Sequence, residues 1–191
     1  YQQGYDAQAK QSTRYLARGA SVTALDTDLS QFLTNLSVGT SSVYENTTTR
    51  LNRSGARTIG VEVDMVAANT GTLWAHGSGA STERLEFNAA QSIRIVVNNS
   101  GSGALTVTAP TGTDTCVIAW ISEPNPDTTG AADAMQSWIV HWNVTDGHFD
   151  AVRLTHAAIT SSSTTAVFGA NDSAGASAFA GTMTACWFEN R

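Results

Sequence analysis

Two carboxylates at alternate positions, Glu62 and Asp64, are the nearest approach in this chain to a catalytic pair. They lie in the run Ile59-Gly-Val-Glu-Val-Asp-Met65. A strand's period of two puts both acids on one face and Ile59, Val61, Val63 and Met65 on the other. Retaining glycoside hydrolysis needs two carboxyl groups about 5 Å apart in a cleft. Two acids on the polar face of a half-exposed strand arise without any function, and no catalytic role is expected for them. The four histidines, His76, His141, His148 and His156, show no metal-binding helical spacing. They read as solvated or singly hydrogen-bonded groups. Calcium needs about six oxygen ligands. Its candidates are Asp127, Asp133, Asp146, Asp150, Asn171 and Asp172, but no Asp-x-Asp-x-Asp run gathers them. Asn171-Asp172 and Asp146-Gly147 serve equally well as turn formers. No cofactor is therefore expected, calcium being the one ion with candidates. A nucleophile elbow, a phosphate loop and a dinucleotide fingerprint are absent from the sequence.

Sugar binding would use an exposed aromatic ring beside Asn or Asp. Trp74 and Trp142 are the ring candidates, with Asn171 and Asp172 as polar neighbours, although a Trp on a sandwich strand is more often core. Cys116 and Cys186 match no zinc spacing. They read either as two buried thiols or as a bridge between neighbouring strands in an oxidising compartment, the thiols being preferred.

The elements that must position these residues are short strands. After Thr58 come Gly71-Thr-Leu-Trp-Ala-His76, Arg84-Leu-Glu-Phe87, Ser92-Ile-Arg-Ile-Val-Val97 and Ala104-Leu-Thr-Val-Thr108. Further strands are expected at 115–121, 137–143, 149–154, 166–169 and 183–188. Gly77-Ser-Gly79 and Gly101-Ser-Gly103 read as hairpin turns, and Glu123 to Gln136, with two prolines and a glycine, as an exposed loop. Many short strands separated by turn signals indicate a sandwich rather than βαβ units.

The first 57 residues differ. They hold all four Tyr, while all five Trp come later, and residues 45–57 form a polar boundary. About 20 residues read as an extended arm. Val22 to Leu36 then carries Leu25, Leu29, Phe32, Leu33 and Leu36 at helical spacing, with Asp26 and Asp28 in the first turn. This predicts a short helix whose apolar stripe either caps the sandwich or docks a partner. The domain division is thus an arm with a helix over 1–57 and a sandwich over 58–191.

A chain of 191 residues with 41% hydrophobic content can bury a core unaided. Only 14% of residues are charged, and Lys10 is the single lysine. Net charge is −6, yet residues 1–57 hold six basic groups against four acidic ones, so the remainder is strongly acidic. That disfavours nucleic acid as a partner. No apolar run approaches a membrane span of about 18 residues, and Tyr1 opens a polar segment with no signal-peptide core.

The closing stretch, with Val167-Phe-Gly169, a small-residue loop, Phe179-x-Gly181 and then Met183-Thr-Ala-Cys-Trp-Phe188, resembles the last hairpin of the concanavalin A-like (laminin G-like) β-sandwich family. Gly71-Thr-Leu-Trp-Ala-His-Gly77 and Trp138-Ile-Val-His-Trp142 are similar to other elements of that family, in which the latter Trp residues pack between the sheets. The resemblance covers roughly residues 57–191 and implies an all-β, two-sheet antiparallel jelly-roll sandwich. Glycoside hydrolases of this fold carry Glu-x-Asp-x-x-Glu on one strand. Here Ala67 stands at the third position, and Val66 where a shorter spacing would need it. With that motif incomplete, a structural or binding role is expected. The leading expectation is a phage virion structural protein, such as a capsid decoration or a fibre or tail surface component. It would form homo-oligomers and dock on other virion proteins through its arm, with its sandwich outward and possible glycan contact. The alternative is a secreted or cell-surface carbohydrate-binding module.

Overall fold

The computed structural model describes residues 56–76, 83–159, 166–170 and 177–190, with the strand segments Thr13–Arg14, Ser30–Leu36 and Tyr44–Asn46. In chain order the strands are β1 (Thr13–Arg14), β2 (Ser30–Leu36), β3 (Tyr44–Asn46), β4 (Arg57–Met65), β5 (Gly71–His76), β6 (Glu83–Ala89), β7 (Ser92–Val97), β8 (Ser100–Thr106), β9 (Asp114–Pro124), β10 (Met135–Asn143), β11 (His148–His156), β12 (Ala166–Phe168) and β13 (Thr182–Asn190). They build a seven-stranded sheet, β1-β2-β13-β4-β9-β10-β11, and a six-stranded sheet, β3-β12-β5-β6-β7-β8. Pairing is antiparallel apart from the short β1–β2 contact. The molecule is the two-sheet antiparallel sandwich that the alternating sequence predicts, and every strand expected beyond residue 58 is present.

The core lies between the sheets. Ile59, Val61, Val63 and Met65 of β4 face inward with Cys116, Ile118 and Trp120 of β9. From the other sheet they meet Leu73, Leu85, Ile93 and Ile95. Phe179 is fully buried and stacks on Phe87 at 6.0 Å. A Cβ on Gly181 would stand 2.7 Å from the Phe179 ring, which explains a glycine two residues after it. Both cysteines are buried free thiols. Burial, helped by Asp114, Asp146 and Asp64, pushes the Cys116 thiol up to about 12, and burial raises the Cys186 thiol well above its ordinary value.

Several expectations need correction. Ser30–Leu36 is a strand, not the end of a helix, because it pairs along β13, with Leu36 opposite Met183 and Phe32 opposite Trp187. The segment before residue 57 therefore contributes strands to both sheets. The β7–β8 turn is made by Asn98 and Asn99, whose φ values of 51° and 61° suit a two-residue hairpin turn. Gly101 and Gly103 belong to β8 itself. Gly77-Ser-Gly79 lies outside the described residues. Trp138 and Trp142 do not pack between the sheets. Ser137, Ile139 and His141 take the inward positions of β10, so the intervening residues face out.

Candidate functional site

Reading the register across β4, β9, β10 and β11 assembles the outer face of the seven-stranded sheet row by row. One row runs Glu62, Val117, Trp142, Phe149. The next runs Gly60, Ala119, Val140, Ala151, with Trp187 of β13 opposite Gly60. The third is Thr58, Ile121, Trp138, Arg153, and beyond it lie Glu123, Gln136 and Thr155. This face is thus largely apolar, small at its centre and aromatic around it. Trp187 needs the small centre, since a Cβ on Gly60 would come within 2.2 Å of its ring. Trp142 and Phe149 are direct cross-strand partners, 47% and 60% exposed. The rim is polar. The Gln136 amide donates to Glu123 Oε1 at 2.6 Å and its carbonyl accepts from Arg153 Nη2 at 2.6 Å. Thr184, at a bulge in β13, donates to Glu62 Oε1 at 2.6 Å. The corresponding face of the six-stranded sheet is different: Glu86 there accepts from Arg84 Nε at 2.8 Å and from Arg94 Nε at 2.7 Å.

The two ends of the sandwich each hold a polar cluster. At one end Arg57 and Glu83 form an ion pair of 3.1 Å with both side chains 0% exposed. His76 Nδ1 is 3.3 Å from the same Glu83 oxygen. The Arg57 guanidinium lies 4.7 Å from the Trp120 ring and 5.9 Å from the Trp74 ring. Burial pushes the Glu83 carboxyl up, but the Arg57 charge and the His76 hydrogen bond together hold it below its ordinary range. Beside it, the Trp120 indole donates to Ser137 Oγ at 2.9 Å, and Ser137 pairs with His156 Nε2 at 2.7 Å. His156 Nδ1 then donates to the Ala157 carbonyl at 2.8 Å. Burial lowers the His156 pKa, so the ring is neutral and its tautomer is fixed by this chain of donors. Ser137 and His156 have the spacing of a nucleophile and its base, but Ser137 is 0% exposed and offers a substrate no approach.

At the other end a cleft of about 300 Å³ opens between the sheets. Asp114, His141, Asn143, Thr145, Asp146 and His148 supply its polar lining. Asn143 Nδ2 donates to Asp114 Oδ2 at 2.7 Å. Asp150 stands beside both imidazoles, 3.2 Å from His148 Nε2 and 3.5 Å from His141 Nδ1. His141 is 2% exposed, and burial, partly opposed by Asp150, depresses its pKa.

The expected site residues are scattered by this arrangement. Trp74 is 0% exposed beneath Arg57, so it is core and cannot meet a glycan. Trp142, its companion on sequence grounds, is on the surface. Asn171 and Asp172 lie outside the described residues, as do Leu25 and Leu29. Phe32, Leu33 and Leu36 lie on β2, inside the seven-stranded sheet. Glu62 and Asp64 share the outer face as their spacing predicts, each with a threonine hydroxyl donor. Of the calcium candidates, Asp133 is taken up by its own loop, accepting from Thr128 and from the Thr129 and Gly130 amides, which hold its carboxyl down to about 2. Among the described residues, no three His, Cys, Asp or Glu side chains are grouped to hold a metal ion. Three of the four histidines are buried rather than solvated. The signal for them was parity: His141 falls in step with Ile139, and Arg57 with Ile59 and Val61.

A two-sheet sandwich with one aromatic outer face is the class of protein that these observations define. No family model matches the chain, and no curated protein matches it in sequence. Among solved structures, it is similar to the full-length tailspike protein 2 of Escherichia coli O157:H7 bacteriophage CAB120, with a TM-score of 0.52 and 15% identity. That match covers 81% of this chain but only 22% of the tailspike, so the chain spans about a fifth of that protein. Arcelin-5, a lectin-like defense protein from Phaseolus vulgaris, aligns at a TM-score of 0.48 and 6% identity over 78% of this chain and 76% of its own. Lectin II from Ulex europaeus aligns at 0.47 and 11% identity over 84% and 92%. At these identities the likeness is one of fold.

Proposed function

We propose that this chain is a non-catalytic, glycan-binding sandwich displayed on a phage virion surface. The observation that carries the reading is the cross-strand pair Trp142 and Phe149, 47% and 60% exposed on a sheet face. Large aromatic rings left in water lose the free energy of burial, about 1.5–3 kcal/mol for a Phe-sized side chain, unless a ligand covers them. The C–H face of a sugar ring is such a cover, and Glu62, in the same cross-strand row, supplies a partner for its hydroxyls. A tailspike carries a domain of this fold, and the Lys-poor, Ser/Thr-rich composition suits an outward particle surface. Assembly with further copies and with other virion proteins belongs to the same proposal. A secreted or cell-surface lectin-like module would use the same face.

The test is a glycan array with the full chain, alongside Trp142→Ala and Phe149→Ala. Wild type should bind, and each variant should lose about tenfold or more in affinity, the scale of one buried aromatic contact. Unfolding midpoints should barely move. Equal binding by all three proteins, or none by wild type, would sink the proposal.

A further inference from the structure

The cleft between the sheets, on the opposite side of the β10–β11 hairpin from Trp142, holds an unsatisfied group. Neither ring nitrogen of His141 has a hydrogen-bond partner, although the ring is 2% exposed and lines the cleft. Asp150 Oδ2, 3.5 Å from Nδ1, is too far for a good hydrogen bond, and that oxygen also lies 3.2 Å from His148 Nε2. Buried polar groups almost always find partners, so an unpaired imidazole in the wall of a cleft points to a ligand site.

The lining defines its chemistry. Asp114 and Asp146 line the cleft and Asp150 stands beside it, while no Lys or Arg takes part. This field excludes phosphate, sulfate and acidic sugars. Burial keeps His141 neutral, so the ring offers one donor and one acceptor. A hydroxyl group both donates and accepts, and carboxylates take further hydroxyl protons. A divalent ion is the poorer match, because among the described residues no three His, Cys, Asp or Glu side chains are placed to hold one. The cleft, about 300 Å³, stands at the small end of ligand pockets.

We infer that this cleft is a second binding site, for one uncharged, polyhydroxylated sugar ring, with His141 as its buried hydrogen-bonding anchor and Asp146 at its mouth. The ligand class rests on the glycan reading above; the site itself rests on His141. β11 is the edge strand of its sheet, so Phe149 on the outer face and His148 at the cleft flank one exposed border.

NMR of the full chain separates the two sites, using imidazole signals for His141 and the indole N–H signal for Trp142. The probes are glucose, galactose and mannose, then glucose 6-phosphate, and zinc or calcium chloride alone. Neutral hexoses should move the His141 signals at millimolar concentration, and the phosphorylated sugar should bind about tenfold more weakly or not at all. In His141→Phe, the hexose-induced shift of the His148 imidazole signals, at the same cleft, should disappear. Asp146→Asn, an exposed and mild change, should weaken it several-fold without moving the unfolding midpoint. The inference is overturned if no neutral hexose moves His141, if glucose 6-phosphate binds equally well, or if a metal ion alone produces the shifts. A silent His141 with a responding Trp142 removes the cleft site and leaves the outer-face reading standing. A responding His141 with a silent Trp142 does the reverse.

Discussion

Arg57 and Glu83 are 26 residues apart in the chain and meet where neither reaches water. Desolvating two charges costs several kcal/mol each, and the pair offsets this only while both members are present. Arg57 Nε and Nη2 and Glu83 Oε1 have no hydrogen-bond partner, so the offset is incomplete, and the two flanking indoles supply the rest as ring contacts. Glu83→Gln should therefore destabilise by about 3–5 kcal/mol in denaturant titrations, while Arg57→Met combined with Glu83→Leu should cost much less than either change alone. Acid sensitivity follows from the same residues. Burial lowers the pKa of His141 and His156 below the ordinary 6.5, so unfolding takes up protons there. Their stabilising contribution is complete above about pH 6.5 and shrinks as pH falls below it. Glu83 is held below 4.5, so its contribution is complete above that value and disappears as pH drops further through its folded-state pKa. Two descending steps in stability are expected, and the lower one, to which Asp133 also contributes, should shrink in Glu83→Gln. The parity of Arg57 with Ile59 marked it as inward, but only the opposite sheet reveals its partner.

At the scale of elements, the alternating strands were legible because one buried face imposes a period of two on the sequence. Ser30–Leu36 was not. Its leucines also fit a helical spacing, and a short apolar run cannot be assigned by periodicity alone. What decides is the hydrogen-bonding partner β13, more than 140 residues away in the numbering. Of the outer-face aromatics, Trp142 was a ring candidate weighed against a core position and Phe149 was not named, since strand Trp usually points inward and this strand places His141 there instead. The packing of β13 on β4 can be tested directly. Gly60→Ala should destabilise by about 1–3 kcal/mol through its clash with Trp187. In a Trp187→Ala background the same change should cost far less, and additive costs in this double-mutant cycle would refute the close contact.

For the whole molecule, the strands contributed by the first 56 residues have a physical consequence. β2 covers one side of β13, and β3 covers one side of β12. Deleting residues 1–56 would leave both with unpaired backbone groups, an invitation to aggregation. The shortened protein should lose soluble yield and run as large species on size exclusion. A well-behaved monomer with the wild-type unfolding midpoint would show that those strands are dispensable.

Among the described strands β13 comes last, yet it lies inside its sheet, between β2 and β4. Synthesis runs from the amino end, so until β13 leaves the ribosome the first strands and the β4-β9-β10-β11 block have nothing to join them. The nascent chain must wait with two open sheet borders and a half-covered core, a state that chaperones recognise. Closure then depends on one late, long-range pairing, which makes folding slow and all-or-none. A chain without β13 would keep its six-stranded sheet whole while its seven-stranded sheet stayed in two pieces.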